Sequence, residues 1–111
     1  VTPVMQTKFG REGNCLAACL ASAFDLSLQN VPEFEGEYWM TDLEVWLELM
    51  GFRLVHQSSE RTDQLGVAIG DGPRRLRHAV LWKAGQMLHD PHPDNTGLSQ
   101  RPDLFLYWEP F

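Results

Sequence analysis

Cys15, His78, Asp90 and Gln6 are the residues whose types and spacing can do chemistry. Cys15 follows Gly13-Asn14 and opens an apolar segment that runs to Phe24. A thiol at the first position of a helix faces backbone N–H groups with no intrahelical partner, and their partial positive charge favours the thiolate. Cys19, four residues on, falls among alanines and reads as a small buried hydrophobe. A thiolate becomes catalytic when a histidine carries its proton and a third group orients that histidine. His78 begins the apolar run 78–82 and Asp90 ends the run 87–90. With a turn over Lys83 to Gln86 the two runs are antiparallel, and 78 and 90 then face each other at Cβ separations of roughly 4.5–5.5 Å. Gln6 lies nine residues before Cys15. Its side-chain amide and the backbone N–H of Cys15 would be two donors to a developing oxyanion. To reach that position the chain from Thr7 to Asn14 must loop out, with Gly10 and Gly13 taking the sharp bends.

Each of these residues has a plainer reading. A free cysteine is most often a packed hydrophobe, and His78 can be a satisfied histidine at a strand end. Asp-Pro starts turns, so Asp90 can serve the loop at Pro91 alone. The segment His89-Asp90-Pro91-His92-Pro93-Asp94 crowds imidazoles and carboxylates, but its spacing matches no closed zinc site. In a strand His89 and Asp90 would also point to opposite faces, so no metal and no cofactor is expected. Arg74, Arg75 and Arg77 form the one basic cluster of the chain, directly before His78. Arg74 and Arg75, with Asn14 beside the thiol, are candidate substrate contacts for an acidic group or a chain-terminal carboxylate; the competing reading is a solvated loop.

The elements that must position these residues follow from local pattern. Residues 15–24 are free of charge and apolar all round, the signature of a helix buried on most faces, with Asn14 as its N-cap. Asp25 to Phe34 reads as a turn, a short helical turn and a stop at Pro32. Thr41 and Glu44 form a capping-box signature for a second helix, carrying Leu43, Trp46, Leu47 and Met50 at helical spacing and ended by Gly51. Strands follow at 52–56, 65–69, 78–82, 87–90 and 104–108. Helices first and antiparallel strands after predict an α+β fold, with the helices against one side of the sheet.

Gln6, then Gly13-Asn14-Cys15 opening a buried helix, then His78-Ala79-Val80-Leu81 and Asp90-Pro91, resemble the papain-like cysteine peptidase superfamily. Within it the chain is most similar to the double-glycine leader peptidases, and the segments 13–34 and 78–98 also resemble a group of small bacterial and phage proteins. The resemblance implies a minimal papain-like fold, with the helix that carries Cys15 packed on a small antiparallel sheet. It implies Cys15 as nucleophile, His78 as base, Asp90 as the orienting residue and Gln6 as oxyanion donor. The expected activity is thiol-dependent hydrolysis of a peptide, isopeptide or glutamine amide bond in a peptide or protein substrate. The alternative is an inert papain-like binding or adaptor protein, for example a phage-encoded inhibitor.

Composition narrows the classes further. The 111 residues are 43% apolar and 22% charged, which fits one globular domain over 1–111 and excludes a coiled coil or a disordered tail. Nine basic against fifteen acidic residues leave a net charge of −6, against any grip on nucleic acid or an anionic membrane. No run of apolar residues is long enough to span a bilayer, and the first residues lack the apolar core of a leader, so a cytoplasmic location is expected. A bridge between Cys15 and Cys19 would strain a helix, so both thiols are expected to be free.

Overall fold

The computed structural model describes residues 1–111, the side chain of Glu12 excepted. A 3-10 turn at Gly10–Glu12 leads into helix α1, Cys15–Phe24; a second 3-10 turn at Leu28–Asn30 precedes helix α2, Trp39–Leu49. Five strands follow: β1 Phe52–Gln57, β2 Gly66–Asp71, β3 Arg77–Lys83, β4 Gln86–His89 and β5 Leu104–Pro110. They form one antiparallel sheet in the order β1-β5-β2-β3-β4. The architecture is α+β, with α1 packed on β3 and α2 on β1.

Strand alternation divides the core into two layers. Val67, Ile69, Ala79, Leu81 and Leu106 face the helices and meet Ala17, Leu20, Leu43 and Leu47. Ala68, Val80, Phe105 and Tyr107 face the other way, with Trp82, Met87 and Leu98 packed against them. Helix α1 is buried from Ala17 to Ser22, as its charge-free sequence requires, because β3 covers one side and the N-terminal arm the other. The arm is tied to Ser22: the Val4 N–H donates to Ser22 Oγ at 2.8 Å, and that hydroxyl donates to Ala18 O at 2.8 Å.

Helix α2 departs from its capping signature. It begins at Trp39, its N-cap Tyr38 makes no side-chain cap bond, and Thr41 lies inside the helix. Trp39 and Met40 pack partly buried against the core, and since full burial of a large apolar side chain is worth about 1.5–3 kcal/mol, the two together outweigh the ~1 kcal/mol of a cap. Gly51, at φ +91, ends the helix where expected.

The β3–β4 hairpin is tighter than the expected four-residue loop. Lys83 pairs with Gln86, and the turn is Ala84-Gly85, at φ 55 and 77. Positive φ at both central residues is the type I′ arrangement that suits the twist of paired strands. The backbone N–H groups of Ala84 and Gly85 donate to Thr62 O at 3.1 Å and Glu60 Oε1 at 2.6 Å, which holds Ala84 in a conformation unusual for a residue with a Cβ. The register also shifts by one residue between Leu81 and Trp82. β4 ends at His89, and the facing 78–90 pair does not form: the Lys83–Gln86 pairing already sets 79 opposite 90, and the shift moves the register one residue further. Among the described residues no helix is long and apolar enough to cross a membrane.

Candidate active site

Asn14 organises the approach to the site. Its side chain does not cap α1. Instead its Oδ1 accepts the backbone N–H groups of Thr7 and Lys8 at 2.9 and 3.0 Å, while its Nδ2 donates to Thr7 Oγ1 at 3.0 Å. Asn14 is 3% exposed and lies outside the residues that line the cleft around Cys15, so it holds the chain rather than touching a substrate.

That anchor returns the arm to the start of α1 and accommodates the wide gap between Gln6 and Cys15. The backbone N–H of Asn14 donates to Lys8 O at 3.3 Å, and that of Gly13 to Gly10 O at 3.1 Å. Gly10 takes the bend, at φ +78. Gly13 does not: its φ of −67 suits any residue. It is needed for closeness, since a Cβ there would lie 3.0 Å from Gly10 O, 3.3 Å from Lys8 O and 3.6 Å from Gln6 Nε2. Gln6 is buried, with its backbone N–H on Pro91 O at 3.0 Å and its Nε2 donating to Lys8 O at 2.9 Å. Its Oε1 is buried with no hydrogen-bond partner.

Cys15 is the first residue of α1 and half-buried; Cys19, one turn on, is closed to solvent. The two thiols bracket the same residue of β3. The Ala79 N–H lowers the pKa of the Cys15 thiol, and the Cys19 thiol donates to Ala79 O at 3.4 Å. The expected lowering of the Cys15 pKa is reversed. Burial pushes the thiol up, and Asp90 adds to this through its charge, while the N–H groups of Ala79, Leu16 and Cys15 itself pull it down without winning. The helix start thus acts as expected in sign, but desolvation is the larger effect.

His78 immediately precedes Ala79 and is 5% exposed. Its Nε2 lies 2.7 Å from Asp90 Oδ1. The same oxygen accepts the His92 N–H at 2.9 Å, and Oδ2 accepts the Gly97 N–H at 2.8 Å. Asp90 therefore orients the histidine and organises the loop at Pro91 together. Burial alone would raise its pKa; His78 and the two backbone donors overcome that and hold the carboxyl below its usual range. With Nε2 committed to Asp90, Nδ1 is the His78 nitrogen left to exchange a proton.

Two hollows meet at Cys15 and His78. The smaller, about 270 Å³, is lined by Gln6, Arg11, Arg74, Arg77 and His92 besides them. The larger, about 610 Å³, has an apolar wall of Leu16, Phe34, Trp39, Ile69 and Leu104. Of the arginines expected at the cleft, Arg74 lines it, whereas Arg75 is exposed in a turn at φ 59 and lines neither hollow. Arg77 takes its place, held by Asp103 and Asp71, which push its pKa up against the opposing effect of burial.

Arg11 and His92 were not among the sequence candidates. His92 is placed by the Asx-type turn of Asp90-Pro91-His92, a spacing visible in the sequence; its Nδ1 accepts the Asp94 N–H at 3.1 Å and its ring packs edge-on to Phe9. His89 turns away, its Nε2–H donating to Val4 O at 2.8 Å. Among the described residues no three His, Cys, Asp or Glu side chains are grouped as a metal ion would need. Comparison with protein-family models, curated proteins and solved structures gives no match.

Proposed function

We propose that this chain is a thiol-dependent hydrolase acting on a peptide, isopeptide or glutamine amide bond. The observation that carries the reading is the placement of His78: Nε2 fixed by a buried carboxylate, Nδ1 left over, and Cys15 lining the same hollow. A histidine oriented by a carboxylate beside a thiol is the arrangement nucleophilic catalysis needs, and the resemblance to papain-like peptidases points the same way.

The reaction runs in two halves. The Cys15 sulfur attacks the amide carbon as its proton passes to His78 Nδ1. The oxygen takes the charge and is held by the Cys15 N–H at the helix start and by the second hydrogen of Gln6 Nε2. The C–N bond then breaks, and His78 gives its proton to the departing amine. Water, deprotonated by His78, attacks the thioester; the acid leaves and the thiol is restored. Because burial raises the Cys15 pKa and so favours the thiol, His78 acts as a general base during attack rather than as a standing ion-pair partner. Gln6 fits this role through Nε2: it lines the smaller hollow, and Lys8 O takes one of the two Nε2 hydrogens. Two free thiols on one helix suit a reducing, cytoplasmic setting.

An inert binding protein using the same cleft is the second reading, and one observation favours it: the burial that raises the Cys15 thiol. The two separate on p-nitrophenyl acetate, an activated acyl donor. The hydrolase reading expects an acetyl group on Cys15 by mass spectrometry, steady release of nitrophenol, and loss of both in Cys15→Ala. Acetylation elsewhere, or none, overturns it.

A further inference from the structure

The smaller hollow has no acidic side chain on its lining among the described residues, in a chain where acidic residues outnumber basic ones fifteen to nine. Three arginines reach it, and two are already occupied. Arg74 Nη1 sits 2.6 Å from Asp94 Oδ2, and Arg77 Nη1 2.6 Å from Asp103 Oδ2. Arg11 differs. It stands exposed on the 3-10 turn before α1, lines both hollows, and has no hydrogen bond or ion pair among the described residues. It is thus a cation one short loop away from the nucleophile, with its fork of donors unspent.

The net charge of −6 would repel an anion at long range. Beyond a Debye length of about 8 Å that field is screened, however, and the nearest charges decide the last approach. Of the three arginines on the smaller hollow's lining, Arg11 is the one with no ion-pair partner among the described residues. Guanidinium groups also match carboxylates geometrically, through two parallel N–H···O bonds.

Resting on the hydrolase reading above, we propose that the substrate carries a carboxylate next to the reacting carbonyl and that Arg11 binds it, while the apolar wall of the larger hollow takes a hydrophobic side chain on the other side of Cys15. The carboxylate is either an acidic side chain or a free chain end.

Two reagents of nearly equal size test the first part. Iodoacetate is anionic and iodoacetamide neutral, and both report on the same sulfur. The ratio of their rates at Cys15 removes any change in the thiol itself. The ratio is expected to fall about threefold in Arg11→Ala, the size of a partly exposed charge pair, and further in Arg11→Glu. Arg11→Lys should restore most of it, and high salt should lower the ratio of the unmodified protein toward that of Arg11→Ala. A ratio unchanged by Arg11→Glu overturns the proposal. If Cys15 still acquires an acetyl group from p-nitrophenyl acetate, the hydrolase reading survives that failure; if it does not, the hydrolase reading fails by itself.

Protection of Cys15 from iodoacetamide separates the two sources of carboxylate. The competitors are a blocked apolar tetrapeptide as its free acid, as its amide, and as an amide with one glutamate. Protection by the free acid alone assigns a chain end; protection by the glutamate peptide assigns an acidic side chain. Equal protection by all three, the neutral amide included, overturns the role of Arg11.

Discussion

His78 Nε2 and Asp90 Oδ1 are 2.7 Å apart in a pair whose side chains are 5% and 0% exposed. The carboxylate is also the acceptor for two backbone N–H groups of the loop that follows it. One side chain therefore couples the proposed base to the local fold. Burial opposes the charged form, His78 and the two N–H donors favour it, and the net effect is a lowered pKa. A carboxyl whose folded pKa lies below its unfolded value stabilises the fold above the unfolded value, and that contribution disappears as pH falls through the folded one.

Asp90→Asn should accordingly cost on the order of 2 kcal/mol at neutral pH, since hydrogen bonds to a buried charge are lost or weakened. Urea unfolding followed by tryptophan fluorescence checks this. The gap between the two proteins should be constant above about pH 5 and narrow below about pH 4, the ordinary range for Asp. A gap that widens in acid would mean the wrong sign for Asp90.

Asn14→Ala removes three hydrogen bonds at once and frees the arm that carries Gln6. A loss of about 2–3 kcal/mol is expected from such a buried amide, with turnover reduced as well. Asn14→Asp keeps the carboxyl oxygen that accepts the Thr7 and Lys8 N–H groups, and should recover most of the stability and part of the turnover. If Asn14→Ala left both unchanged, the arm would be held by its other contacts.

Gln6→Ala divides stability from catalysis. It removes the Nε2 bond to Lys8 but also the unpaired Oε1, so stability should change by less than about 1 kcal/mol. Turnover of p-nitrophenyl acetate should fall on the order of 10²-fold, as for other oxyanion donors, with KM nearly unchanged. A change confined to KM would place Gln6 in binding only.

Cys15 should be alkylated by iodoacetamide at least about tenfold faster than Cys19, because one thiol lines a hollow and the other is closed to solvent. With burial raising Cys15, its rate should keep climbing past pH 9. Peptide mass spectrometry after brief labelling gives both quantities, and a plateau already at neutral pH would show that the helix start outweighs desolvation.

Much of this was legible from local pattern. The bounds of α1 at 15–24 follow from a charge-free segment after Asn14, and the strand positions from short apolar runs. What escaped was non-local. The place of β5 between β1 and β2 depends on which edges meet in three dimensions, and nothing in 104–108 announces it. His78 and Asp90 are hydrogen-bonded, but not as facing strand residues: the Lys83–Gln86 pairing sets 79 opposite 90 and the shift at Leu81 moves the register further, so Asp90 reaches His78 from the loop. Asn14 looked like a helix cap, since Asn caps well, yet its amide is captured by Thr7 and Lys8, which no spacing rule links to it. The pKa of Cys15 was misjudged because a sequence displays the helix dipole but not the depth of burial that opposes it. Arg11 stayed hidden for the same kind of reason: a single arginine in a loop gains meaning only when neighbouring arginines prove to be paired.

The central claim is that Cys15 and His78 act as one unit, and the most direct measurement is the rate of iodoacetamide labelling at Cys15, from pH 5 to 10, in the unmodified protein and in His78→Ala. Far-ultraviolet circular dichroism establishes first that the variant is folded. The account predicts that labelling near pH 7 slows at least about tenfold without the imidazole to take the proton, and that the two profiles converge at high pH, where the thiol ionises unaided. Superimposable profiles across the whole range would contradict it.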